Sequence, residues 1–220
     1  MSVISLPMRY LILKRGFSLL ELLAVVAILA VLGALAIPAI QGMASSMNLK
    51  GSANILVSEI DLARATASSR NLAVDVRIYQ DFAPKDAHGN PVYHITALVI
   101  PALASGNATD EYVNAPMALQ GDTVIDPDLT YSTLLNASAS ATLAPVAGVE
   151  SSTAPLMIQS KPYVKFTVLP SGGLNLDNSA SWCVTLLSKN KVHSINGKPA
   201  DNFITLSVDV STGRVRTYQP

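Results

Sequence analysis

The sequence predicts an α+β protein in which one very long N-terminal helix packs on a mostly antiparallel β-sheet. Three observations predict it. Apolar residues fill the stretch from Phe17 to Ile40, broken by polar side chains only at Ser18 and Glu21. The helical pattern then turns amphipathic, with Leu49, Ala53, Leu56, Ile60, Ala63 and Ala67 recurring at spacings of three and four. After Asn71 the period shortens to two, and about six alternating segments follow, punctuated by Gly, Pro, Asn and Asp. One helix followed by a run of strands is an α+β order, unlike the βαβ alternation of a parallel sheet.

The chain has 220 residues, and Arg9, Lys14 and Arg15 are its only charges before Glu21. Twenty-four helical residues from Phe17 span about 36 Å, enough to cross a hydrocarbon core of about 30 Å. No charge occurs from Leu22 to Leu49. Because the cations precede the apolar run, the positive-inside rule places residues 1–16 in the cytoplasm and the chain beyond about residue 42 on the far side. Pro38 removes a backbone donor and is expected to kink this helix, with Gly33 and Gly42 adding slack. The amphipathic half is expected to end near Ser69-Arg70-Asn71, with Lys50, Glu59, Asp61 and Arg64 mostly off its apolar stripe.

That stripe needs a sheet. "LAVDVRIY" sets Leu72, Val74, Val76 and Ile78 against Asp75 and Arg77, the pattern of a half-buried strand. "VYHITALVI" is a second strand, stopped by Pro101, and residues 102–121 read as loop with "TVI" a short strand after them. Residues 132–155, rich in Ala, Ser and Thr, show no period and are expected to form a mobile excursion. "YVKFTVL" and "WCVTLL" are further strands. "NFITLSVDVSTGRVRTYQP" reads as a hairpin turning at Ser211-Thr212-Gly213.

Composition narrows the chemistry. Without residues 1–16 and their three cations, 12 cations face 15 anions, a net of −3, which argues against a polybasic nucleic-acid binder. Cys183 is the single cysteine, so an intramolecular disulfide is impossible, and it reads as a buried structural thiol beside Trp182. His88, His94 and His193 lack zinc-motif spacing, and no GxSxG elbow is present. Asp122, Asp126 and Asp128 are a candidate calcium cluster, but three local carboxylates fall short of six oxygens and Pro127 fits a plain turn. Arg214 and Arg216 share one strand face and are a candidate contact to the phosphates of nucleic acid, or more simply charges that guard a sheet edge. Nothing calls for a cofactor, a resident metal or a small-molecule substrate.

Three readings of the N-terminus compete. A secretory signal peptide would be shorter and end in a small-residue cleavage site, for which "ALAIPAI" is tolerable. A plain anchor explains the length but leaves Glu21, an ionisable group in a membrane segment, without a role. The third accounts for both: "RGFSLLELLAVVAILAVL" resembles the class III signal of type IV pilins and pseudopilins. The resemblance implies that a prepilin peptidase cuts between Gly16 and Phe17, behind the leader charges Lys14 and Arg15. It implies N-methylation of Phe17 and pairing of Glu21 with the freed amine of a neighbouring subunit. Such an amine needs a partner, because an unpaired buried ion costs several kcal/mol; an intrachain pair within one turn is the alternative. The leader is long and apolar at "YLIL", and Met8 would give the tidier start "MRYLILKRG".

The resemblance extends beyond the motif. "ILVSEIDLARATASSRNLAVDVRIY" and "VDVSTGRVRTY" are similar to the helix-to-strand junction and terminal hairpin of H-type minor pseudopilins, and most closely to the Verru_Chthon cassette protein D family. It covers residues 14–80 and 160–220. It implies a leader over 1–16, a transmembrane and assembly helix over 17–42, and a periplasmic α+β domain over 43–220. A fibre subunit of the inner membrane, with prepilin peptidase and other pilins or pseudopilins as partners, is the function so implied. The competing function is a single-span periplasmic binding protein or hydrolase outside any fibre.

Overall fold

The computed structural model describes residues 18–86, 88–106, 109–137, 143–191 and 202–219, with backbone only at 35–41 and 84. The chain divides into two units, residues 1–42 and 43–220.

Within the first unit the described chain is helical from Leu19, the start of α1 (Leu19–Arg70). Its apolar side chains from Leu19 to Leu32 are exposed. Among the described residues no helix is both long and apolar enough to cross a membrane. The side chain of Pro38, where a kink is expected, lies outside the described residues.

The second unit is built on the C-terminal part of α1. Leu49, Ala53, Leu56, Ile60, Ala63 and Ala67 are all buried, so the stripe predicted from spacing is the face that meets the sheet. The helix ends where expected. Asn71 takes the left-handed conformation at φ 53°, and the Leu72 N–H donates back to the Ala67 carbonyl, the wide bond of a Schellman cap.

Among the described residues the sheet has ten strands, all paired antiparallel. They are β1 (Val74–Lys85), β2 (Pro91–Ile100), β3 (Glu111–Tyr112), β4 (Met117–Ala118), β5 (Thr123–Ile125), β6 (Val146–Val149), β7 (Pro162–Val168), β8 (Trp182–Ser188), β9 (Phe203–Val208) and β10 (Val215–Tyr218). The order across the sheet is β10-β9-β8-β5-β2-β1-β7-β6, with β3 and β4 both pairing with β2. The helix-facing residues Val76, Ile78, Phe166, Leu186, Ile204 and Leu206 form one core with α1. The predicted fold class is the one found.

Several expectations are corrected. The loop expected over 102–121 contains the single-turn helix α2 (Ala102–Ser105) and the two short strands β3 and β4. The excursion expected over 132–155 is built into the domain: Leu134 and Leu135 are buried in a 3-10 turn, and β6 extends the sheet beside β7. Residues 138–142 lie outside the described residues. Ala154 and Ile158, from the turns after β6, join Tyr79, Ile95, Ala97 and Val99 in a second core on the face of the sheet opposite α1. That cover overturns the half-buried reading of β1, because Asp75 and Arg77 are only 1% and 3% exposed. Cys183 is half-buried, not buried; its thiol donates to the Tyr131 carbonyl at 3.5 Å. Glu59, expected off the apolar stripe, is buried.

The terminal hairpin turns as predicted. Thr212 donates both its N–H and its hydroxyl to the Asp209 carboxylate, and Gly213 follows at φ 64°. A Cβ at Gly213 would collide with the backbone carbonyl of Gly172 and meet Arg64 Cδ at 2.9 Å. Gly213→Ala therefore combines left-handed strain of about 1–2 kcal/mol with a backbone clash that cannot be relieved by a rotamer change. A fall in the unfolding midpoint of the full chain in detergent is expected, and an unchanged midpoint would contradict this packing.

Candidate functional site

The N-terminal candidates fall into two groups. Lys14, Arg15, Gly16 and Phe17 lie outside the described residues, whereas Glu21 is described in the first turn of α1. Ser18 precedes the first helical residue, and its carbonyl accepts from the N–H groups of Glu21 and Leu22 at 3.0 and 3.1 Å. In return the Ser18 N–H donates to Glu21 Oε2 at 3.5 Å. Ser18-Leu19-Leu20-Glu21 is thus one half of a capping box, with the carboxylate also placed against the positive end of the helix dipole. The S-x-x-E signature was legible in the sequence, and reading Glu21 only as a charge in a membrane segment and a partner for a neighbour's amine passed over it.

A second constellation was not foreseen. On the covered face of the sheet, Arg77 Nη1 donates to Glu150 Oε2 at 2.7 Å and Nη2 to Asp110 Oδ2 at 2.5 Å. The Tyr79 hydroxyl donates to the same Glu150 oxygen at 2.6 Å. The guanidinium lies 4.8 Å from the centre of the Tyr163 ring, which meets Tyr79 edge-on at 5.6 Å. Beside it, Asp75 accepts from Lys165 Nζ at 2.6 Å and from the Thr167 hydroxyl at 2.7 Å. The neighbouring Gly148 leaves room for Tyr163, since a Cβ there would lie 2.6 Å from the ring.

The electrostatics follow from burial and pairing. Burial alone would lower the Arg77 pKa, but donation to Asp110 and Glu150 outweighs it and raises it. Burial would raise Glu150, yet the bonds from Tyr79 and Arg77 hold it below the ordinary carboxylate range. Asp110 is likewise lowered, as the Ala102 N–H and Arg77 overcome desolvation. Burial first, then the bond to Glu150, pushes the Tyr79 phenol up. Glu150 and Asp110 are both held ionised by structural partners, so the cluster pins β3, β6 and the turns after Glu150 onto β1.

The other candidates resolve into turns and edges. Asp122 accepts from the Ser188 hydroxyl, Asp126 from the Asp128 N–H at 3.1 Å, and Asp128 from the Thr130 N–H at 2.8 Å. The three carboxylates thus serve local hydrogen bonds, and among the described residues no group of three or more His, Cys, Asp or Glu is placed to hold a metal ion. His88 sits in a turn, and His94 in β2 lies 3.9 Å from an Asp81 oxygen that Lys161 holds at 2.6 Å. His193 lies outside the described residues. Arg214 and Arg216 are both exposed, Arg216 on the edge strand β10.

Comparison with known proteins gives two findings. Residues 13–37 match the family model described as the prokaryotic N-terminal methylation motif. Among solved structures, the type IV minor pilin FimU of Pseudomonas aeruginosa strain PAO1 aligns at 16% identity with a TM-score of 0.41, over 78% of this chain and 92% of that one, a loose likeness. No curated protein matches. The motif segment contains the predicted cleavage junction, both leader charges and Glu21. This chain therefore carries a prokaryotic N-terminal methylation motif, followed by a domain in which one helix packs on an antiparallel sheet.

Proposed function

We propose that the chain is a minor pilin or pseudopilin, a structural subunit and not an enzyme. Prepilin peptidase removes residues 1–16 and methylates Phe17. The apolar helix holds the subunit in the inner membrane with the sheet domain in the periplasm, and then packs against other pilins in a type IV pilus-like or type II secretion fibre. The observation that carries this reading is the methylation motif at residues 13–37, with Glu21 inside its apolar run. The narrower likeness to Verru_Chthon cassette protein D rests on residues 14–80 and 160–220 of the sequence.

The physical logic is that of a buried ion. Processing creates an ammonium at the head of an apolar helix, and packing that helix among others removes the charge from water. Glu21 of an adjoining subunit supplies the counter-charge, so a carboxylate that is costly in lipid becomes the device that sets subunit register. Before assembly the same carboxylate serves its own helix cap.

Intact-mass and N-terminal analysis of the protein from its native membrane tests the reading. A chain beginning at Phe17 and carrying one extra methyl group is expected. An uncleaved chain would favour the anchored binding protein, and a chain cut after the "ALAIPAI" segment would favour a secreted one; either result overturns the proposal.

A further inference from the structure

Glu59 and Asn114 face each other where α1 meets the segment between β3 and β4. Asn114 Nδ2 donates to Glu59 Oε1 at 2.6 Å. The other two oxygens of the pair, Glu59 Oε2 and Asn114 Oδ1, are buried and have no hydrogen-bond partner. Glu59 itself is only 3% exposed. Two orphaned acceptors on paired side chains mark a missing donor, since a buried acceptor left unmade is costly. Burial pushes the Glu59 carboxyl up, and the Asn114 bond offsets only part of that.

The pair lines a cleft of about 470 Å³. Its helix wall is one stripe of α1 that includes Gly51, Ile55, Ser58 and Leu62. Its other wall includes Met117, whose sulfur lies 4.0 Å from Asn114 Nδ2. Leu62 and Met117 are 41% and 38% exposed. The site is amphipathic: Leu62 and Met117 stand at its mouth beside the exposed Asn54, Ser58 and Gln120, and the more buried Glu59 and Asn114 lie below.

We infer that this cleft receives a lysine side chain from another polypeptide. The methylenes would lie against Ile55, Leu62 and Met117, and the ammonium would donate to Glu59 Oε2 and Asn114 Oδ1. The chemistry points to lysine: a guanidinium can bridge acceptors on two side chains, as Arg77 does with Glu150 and Asp110, but only with both in its rigid plane. Asn114 already occupies Glu59 Oε1, so the two-oxygen face that a guanidinium fork matches is not available. A compact ammonium with three freely rotating donors fits two acceptors on separate side chains. A bare metal ion fits less well, because hard cations take six or more oxygens and the Ile55, Leu62 and Met117 side chains of this cleft supply none. The inference does not rest on the fibre reading, which stands or falls on Phe17.

The test titrates the full chain in detergent micelles with three capped tripeptides, following the Asn114 side-chain amide by nuclear magnetic resonance. The peptides carry lysine, norleucine or acetyl-lysine at the centre. A saturable shift with the lysine peptide is expected, reduced at least tenfold in apparent affinity with the other two and absent in Glu59→Gln. An equal response to norleucine would mean an apolar groove only. A response to sodium or calcium chloride at matched ionic strength would mean an inorganic cation site. No response, or a response that persists in Glu59→Gln, would mean no site. Each of these results overturns the inference.

Discussion

Arg77→Met is expected to destabilise the folded domain by about 3–5 kcal/mol, the usual cost of removing one partner from a buried charge cluster. The substitution keeps most of the side-chain volume and leaves Glu150 and Asp110 without the guanidinium that compensates them. It also removes the cation from the face of Tyr163. The loss should be local before it is global. The turns after Glu150 should become the first site of protease cleavage, because their hold on the sheet runs through that residue. Thermal unfolding of the full chain in detergent, with limited proteolysis alongside, reads both effects. A variant within about 1 kcal/mol of the parent would show that the cluster contributes far less than buried ion pairs do elsewhere.

The same cluster sets an acid limb. The carboxyls of Glu150 and Asp110 are lowered in the folded chain from ordinary values of 4.5 and 3.8. The unfolded chain therefore binds more protons in that region, and stability rises with pH there. The contribution is fully present above about pH 5 and is lost as pH falls through the lower, folded-state values. Arg77→Met should flatten this dependence, since its guanidinium is one of the causes of both shifts.

Glu21→Gln is expected to abolish incorporation into a fibre while leaving the chain folded and processed. Glutamine preserves the capping-box geometry at the start of α1, so the substitution removes the charge without removing the cap. On the proposed pairing, what it removes is the counter-ion for a neighbour's Phe17 ammonium. Even a penalty of about 1.4 kcal/mol per subunit is tenfold in an equilibrium constant, and a buried unpaired ion costs more than that. Quantifying the protein in sheared fibres against that in membranes measures the effect. Unimpaired incorporation of Glu21→Gln would rule out the pairing.

The helix, the strands and the final hairpin were legible in the sequence because each is set by a local period or a turn residue. The stripe from Leu49 to Ala67 is buried residue for residue, and the chain leaves the helix at Asn71 as expected. The motif matched over residues 13–37 was legible for another reason: it is a short local stretch of sequence that depends on no distant contact. Where local pattern was weak the reading failed. Residues 132–155 have no period, yet they supply Leu134, β6 and Glu150 to the domain.

What only the tertiary structure decided is which polar groups lost their water. Asp75 and Arg77 occupy alternate positions of a strand, and a strand with one solvated face looks the same on paper. Their burial was decided by Glu150, 73 residues away from Arg77, and by Ala154 and Ile158, which cover the far face. Glu59 and Asn114 are 55 residues apart and meet only because the segment between β3 and β4 closes against α1. Periodicity records which side of an element is apolar; whether the other side meets water or protein depends on distant chain, and that is a property of the folded whole.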